Sequence, residues 1–99
     1  ILLFIEKNFH RQITMNDICT AFHCSRSYVG HTFKASTGCN FREYINLLRM
    51  EEAKKLLANT SFSITEISLK AGYSNPNYFS LLFHRMNGMP PLEYRKGYK

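Results

Sequence analysis

Two sets of four residues could do chemistry together by their types and spacing. Asn77, Ser80, Leu81 and His84 follow one another at i, i+3, i+4 and i+7, and Ser27, Gly30, His31 and Lys34 repeat that spacing fifty positions earlier. On a helix, each set is a single stripe. The stripes offer donors, acceptors and small side chains, and they contain no acid. That inventory suits base edges in the DNA major groove, which admits one α-helix. Asn77 can pair with adenine through two hydrogen bonds, and Leu81, an odd residue for a solvated face, can meet a thymine methyl. Ser27, Gly30 and Ser80 are small enough to permit close approach. A single stripe of this kind is also what a solvated face of any amphipathic helix looks like. Two of them in matching places favour a polyanionic partner in a chain with 13 Lys and Arg against 7 Asp and Glu, a net charge of +6. Lys34, Arg26, Arg85 and Arg42 are candidate phosphate contacts, and helix N-termini with their caps donate to phosphates as well.

Competing chemistries are weaker. Cys19, His23 and Cys24 resemble a metal site only at first sight. Residues 19 and 23 share a helix face, but Cys24 starts a turn, and no fourth ligand follows at zinc spacing. Free cysteines of this kind are usually packing residues. Three cysteines without close pairing fit a reduced, cytosolic protein better than a disulfide framework. His10, His31 and His84 form no triad with the scattered acids, and there is no glycine-rich phosphate loop. Neither an enzyme nor a cofactor is expected. The opening ILLFIE is far too short for a membrane span and lacks the features of a signal peptide. The chain starts without Met inside an apparent helix, so a fragment of a longer protein is expected.

The elements that must position the stripes are all helical; apolar residues recur at helical spacing and strand alternation is absent. Seven helices are expected, over about 1–8, 14–22, 25–36, 40–58, 64–71, 76–86 and 90–98. Thr14 with Asp17 resembles a capping box. Asn40 and Asn75 are good N-caps, and Pro76 loses nothing at a first helical position. Gly72 suits the tight turn after the fifth helix. In the sixth helix Phe79, Leu82, Phe83 and Met86 form the inward stripe; in the third, Val29 and Phe33 do so. The fourth helix, roughly 28 Å long, carries the mixed-charge run RMEEAKKLL, where Glu51 is placed to pair with Lys55.

The two halves repeat. Tyr28, Phe33, Gly38 and Tyr44 match Tyr78, Phe83, Gly88 and Tyr94 at an offset of 50, while Ile18 matches Ile67 at 49, so one turn is a residue longer. Each half is a short helix, a turn and a second helix. The expected organisation is a first helix-turn-helix unit over 1–38, a linker helix over 39–58 and a second unit over 59–99.

With these residues in place, the sequence resembles the AraC/XylS family of bacterial transcription regulators. The stretch ITEISLKAGYSNPNYFSLLFHRMNGMPPLEYR, 64–95, carries most of the likeness, through Ile64, Ile67, Gly72, Tyr73, Tyr78, Phe79, Phe83, Gly88, Pro91, Tyr94 and Arg95. The stretch 13–57 fits too. The resemblance implies an all-α, seven-helix DNA-binding domain whose two recognition helices enter adjacent major-groove segments of promoter DNA. It implies base-facing roles for Arg26, Ser27, Gly30 and His31, and for Pro76, Asn77, Ser80 and Leu81. Lys34, Arg42, Asn75, His84 and Arg85 are then the phosphate-facing set. It also implies a surface that touches RNA polymerase, and a sensing or dimerisation domain elsewhere in the protein. The family often has Arg where this chain has His31 and Leu81, Ser at Gly30 and Lys at His84. Arginine is the commonest guanine reader, so AT-leaning, methyl-contacting or shape-based readout is expected here.

Overall fold

The computed structural model describes residues 2–97. Seven helices and no strand occur among them: α1 (Leu2–Asn8), α2 (Met15–Phe22), α3 (Arg26–Thr37), α4 (Phe41–Asn59), α5 (Ile64–Ala71), α6 (Pro76–Asn87) and α7 (Pro91–Gly97). The expected first residue of α1, Ile1, and last residue of α7, Tyr98, lie outside the described residues. The chain divides into two compact units, Ile1–Leu48 and Arg49–Lys99, and the division falls inside α4.

In the first unit, local chemistry sets the helix ends. The Thr14 side chain accepts from the Asp17 amide at 3.2 Å, and the Asp17 carboxylate accepts from the Thr14 amide at 2.7 Å, completing the capping box. Ser25 caps α3 by accepting from the Tyr28 amide at 3.1 Å. Asn40 and Glu43 cap α4 in the same reciprocal way, at 2.8 and 3.4 Å. The core is Ile5, Ile18, Val29, Phe33 and Ile45, with Met15, Cys19, Tyr44 and Leu48 packed around it. Phe33 meets Phe41 and Tyr44 edge-on, with centroids 6.1 and 5.1 Å away.

The second unit repeats this plan. Ser63 and Glu66 form a capping box at the start of α5. Asn75 Oδ1 accepts from the Asn77 and Tyr78 amides at 2.9 and 3.2 Å, with Pro76 as the first helical residue of α6. The core holds Met50, Ala53, Leu57, Ile67, Ala71, Tyr73, Phe79, Leu82 and Phe83. Phe83 meets Tyr94 edge-on at 5.6 Å, the counterpart of the Phe33–Tyr44 contact. Ser68 is fully buried and donates to the Thr65 carbonyl at 2.7 Å, which satisfies its hydroxyl. Pro90 lies just outside α7, where its carbonyl accepts from the Tyr94 amide at 3.0 Å.

The turns between the paired helices close alike. His23 ends α2 in the left-handed region at φ 54°, and the Cys24 amide donates to the Cys19 carbonyl at 3.1 Å. Gly72 ends α5 at φ 112°, and the Tyr73 amide donates to the Ser68 carbonyl at 2.9 Å. Both are Schellman closures, so Cys19 occupies the place of the packing residue Ser68. The Cys24 thiol turns to the Phe22 carbonyl at 3.2 Å. Among the described residues no three His, Cys, Asp or Glu are grouped to hold a metal.

Two expectations are corrected. Met86 is 38% exposed and does not extend the inward stripe of α6, because the core of that face ends at Leu82 and Phe83. Glu51 pairs with Lys54, Nζ to Oε1 3.2 Å, instead of with Lys55. Residues three apart are as close on a helix surface as residues four apart.

Candidate nucleic-acid interface

α3 and α6 are each 12 residues long, start fifty residues apart and end in Gly38 and Gly88 at φ 78° and 80°. Each is the second helix of its pair and packs on the first, α3 on α2 and α6 on α5. Packing buries Val29 and Phe33 on α3, and Phe79, Leu82 and Phe83 on α6. The opposite faces are left to solvent, and the sequence-derived stripes lie there. Ser27, His31 and Lys34 are exposed and Gly30 is half-buried; Asn77, Leu81 and His84 are exposed and Ser80 is half-buried. Arg26, Arg42, Asn75 and Arg85 are exposed, and Pro76 is half-buried at the start of α6. Leu81, at 59% exposure, is an apolar residue held out in water by its own helix. Within each unit the four stripe residues therefore share one outer helix face.

Local hydrogen bonds orient several of these groups. Arg26 Nη1 donates to Asn16 Oδ1 at 3.1 Å, which holds the guanidinium beside α2 without neutralising it. His31 Nδ1 lies 3.1 Å from the Ser27 carbonyl. With Nδ1 protonated the ring donates there and turns Nε2 outward. Asn75 spends its side-chain oxygen on the helix cap, so only its amide NH₂ can reach a phosphate. That narrows the role expected of it.

Gly30 sits in the interior of α3, and an added Cβ would meet no atom within 4 Å. Together with His31, Lys34 and Ala35 it lines an open depression on the outer face. Glycine in a helix interior is destabilising by about 0.5–1 kcal/mol relative to alanine. Gly30→Ala is expected to stabilise the fold by about that amount, raising Tm by roughly 2–8 °C. If the depression admits DNA, the same change lowers affinity for the selected site. Thermal melting and binding titration of the one variant check both signs.

Sequence reasoning did not foresee the contact between Arg49 and Tyr73. Tyr73 follows the left-handed Gly72 as Cys24 follows His23, with Ser74 the extra residue of the longer turn, and Tyr73 is nearly fully buried. Its ring lies 5.4 Å from Phe79 and 6.3 Å from Tyr78, with Arg49 stacked over it at 5.1 Å. Burial pushes the Tyr73 phenol up to about 12 although the Arg49 charge pulls it down, so it is neutral at physiological pH. Burial likewise lowers Arg49 from its ordinary value. The one-residue difference in repeat offset was the signal for an inserted residue in the second turn.

Residues 18–97 match the model of a helix-turn-helix domain family. The lactose operon transcription activator of Staphylococcus xylosus is 36% identical over 92 residues, covering 93% of this chain and 33% of that protein. The chain spans about a third of the length of the curated relatives it matches. A transcriptional regulator from Chromobacterium violaceum with an AraC-type DNA-binding domain superposes with a TM-score of 0.86 at 29% identity, covering 96% of this chain and 85% of that one. The DNA-binding domain of the global transcriptional factor AdpA, solved in complex with a target DNA, superposes with a TM-score of 0.92, covering 98% of this chain and 87% of that one. At 23% identity it speaks for the fold alone.

Proposed function

This chain belongs to the AraC/XylS family of helix-turn-helix regulators, and from that membership we propose that it binds double-stranded promoter DNA sequence-specifically through α3 and α6. The observation that carries this is the pair of acid-free outer faces, one on the second helix of each unit, at matching positions. Arg26, Ser27, Gly30 and His31 read bases from the first unit; Pro76, Asn77, Ser80 and Leu81 read them from the second. Lys34, Arg42, His84, Arg85 and the Asn75 amide hold the phosphate backbone. No helix among the described residues is long and apolar enough to cross a membrane, and a cytoplasmic location is part of the proposal. So are a contact with RNA polymerase and a sensing or dimerising segment outside this chain. No catalytic role is assigned to it.

Selection from a random duplex pool at near-physiological salt tests this. Two enriched boxes about one helical turn apart are expected. Retention without enrichment would leave only non-specific, nucleoid-type binding, and no retention would point instead to a basic protein-interaction module.

Two variants separate reading from holding. Asn77→Ala is expected to lose about 1–3 kcal/mol of preference at one base step while sparing the others. Lys34→Ala is expected to weaken every sequence alike and to lower the log–log salt slope by about 1. Uniform loss in Asn77→Ala across all duplexes would remove its base-reading role.

A further inference from the structure

Tyr28 and Tyr78 are not absorbed by either stripe. Each is the third residue of its helix, at the same place in the repeat, and they are 58% and 48% exposed. Tyrosine usually buries its ring and keeps only the hydroxyl wet, and half-exposed tyrosines are typical of contact surfaces. No hydrogen bond to either hydroxyl is formed among the described residues. At 100° per residue, position 78 lies between the outward positions 77 and 81 and the buried positions 79 and 82, on the rim of α6. Two turns on, the same rim carries Arg85, which is also exposed. Position 28 stands at the equivalent rim of α3. A helix lying in a major groove turns its outer face to the bases and its rims to the phosphate ridges on either side.

We infer that Tyr28 and Tyr78 are a matched pair of neutral phosphate contacts, one in each unit, each hydroxyl donating to a backbone oxygen beside the groove. This rests on the DNA-binding reading above and extends it to two residues outside the stripes. Tyrosine is among the side chains that bond phosphate oxygens. The two members differ in preparation. The Tyr78 ring lies 6.3 Å from that of Tyr73, which is itself fixed between Phe79 and Arg49. Its hydroxyl is thus presented by a buried neighbour, and less freedom is lost on binding. The counterpart of Tyr73 in the first unit is Cys24, which offers no ring for Tyr28 to lie against. Tyr78 is therefore the stronger contact of the pair.

Tyr28→Phe and Tyr78→Phe test this, since phenylalanine keeps the ring and removes only the hydroxyl. Binding is titrated on the selected duplex and on a scrambled duplex over a series of salt concentrations, with thermal melting of each variant alongside. The expected result is a loss of about 10- to 100-fold for Tyr78→Phe and a smaller loss for Tyr28→Phe, equal on both duplexes, from one hydrogen bond to a charged oxygen. The salt slope should stay unchanged, because a neutral donor displaces no counterion, whereas Lys34→Ala lowers it. Undiminished binding by both variants overturns the inference. So does a loss confined to the selected duplex, which would make the hydroxyls base readers, or a loss that tracks a lowered Tm. If the unaltered chain binds neither duplex, the DNA-binding reading falls and takes this one with it; if it binds and the variants match it, only this one falls.

Discussion

Raising the salt from about 50 mM to about 200 mM is expected to weaken the complex with the selected duplex by about 250- to 1,000-fold. Four exposed cations frame the outer faces: Arg26 and Lys34 on α3, Arg42 at the start of α4 and Arg85 on α6. None forms an ion pair among the described residues. Arg26 is held by the uncharged Asn16, and the Glu51–Lys54 ion pair involves none of the four. With up to two further lysines or arginines of this basic chain added, about 4–6 phosphates are neutralised on binding, and each releases condensed counterions, giving a log–log slope of roughly −4 to −5. A fourfold rise in salt then produces the stated loss. The measurement is a set of binding isotherms at five or more salt concentrations on one duplex. A slope near zero would mean that the positive charge is not used on a polyanion, and a basic protein-interaction module would become the better description.

Arg95→Ala is expected to destabilise the second unit by about 2–4 kcal/mol. Its guanidinium is the hub of a backbone staple. Nε donates to the Leu57 carbonyl at 3.2 Å, and Nη2 donates to those of Thr60 and Phe62 at 3.3 and 2.7 Å. These carbonyls belong to the last turn of α4 and to the irregular segment that leads to the Ser63 cap of α5. A hydrogen bond to a charged donor contributes about 1.5–3 kcal/mol, and part of that is recovered when water reaches the vacated carbonyls. The net loss is a large fraction of the roughly 5–15 kcal/mol that holds a domain together. Arg95→Lys should recover only part of it, because one ammonium cannot span three carbonyls as a planar fork does. Urea unfolding followed by helix content checks this; a midpoint shift at constant m-value is the expected form. A midpoint unchanged in Arg95→Ala would show that water replaces the staple without loss.

What the sequence determined by itself was mostly local. Thr14 with Asp17, Asn40, Asn75 before Pro76, and Gly72 each act within four residues of themselves, so their effect on a helix end does not depend on the rest of the fold. The two stripes were legible for the same reason: helical spacing assigns a face, and core residues at Val29, Phe33, Phe79 and Phe83 say which face turns inward. The repeat even held the conformation of His23. Its partner at an offset of 49 is Gly72, and both take the left-handed region, although nothing in a histidine alone announces it.

Tertiary structure decided what depends on a neighbour distant in sequence. Met86 has the spacing of a core residue yet remains exposed, while Met50 lies inside a charged run yet is almost fully buried in the second core. Periodicity gives a side chain's direction, but burial requires another element to be there. Arg49 lies in a charged run and Arg95 in the family signature, and neither place names a partner; one lies over a buried tyrosine and the other binds carbonyls 33 to 38 residues away. Tyr28 and Tyr78 marked the repeat in the sequence, and only their exposure in the folded units makes them candidates for contact. The physical reason is range: caps and stripes are fixed by bonds and angles along one helix, whereas exposure and staples are set by which helices meet.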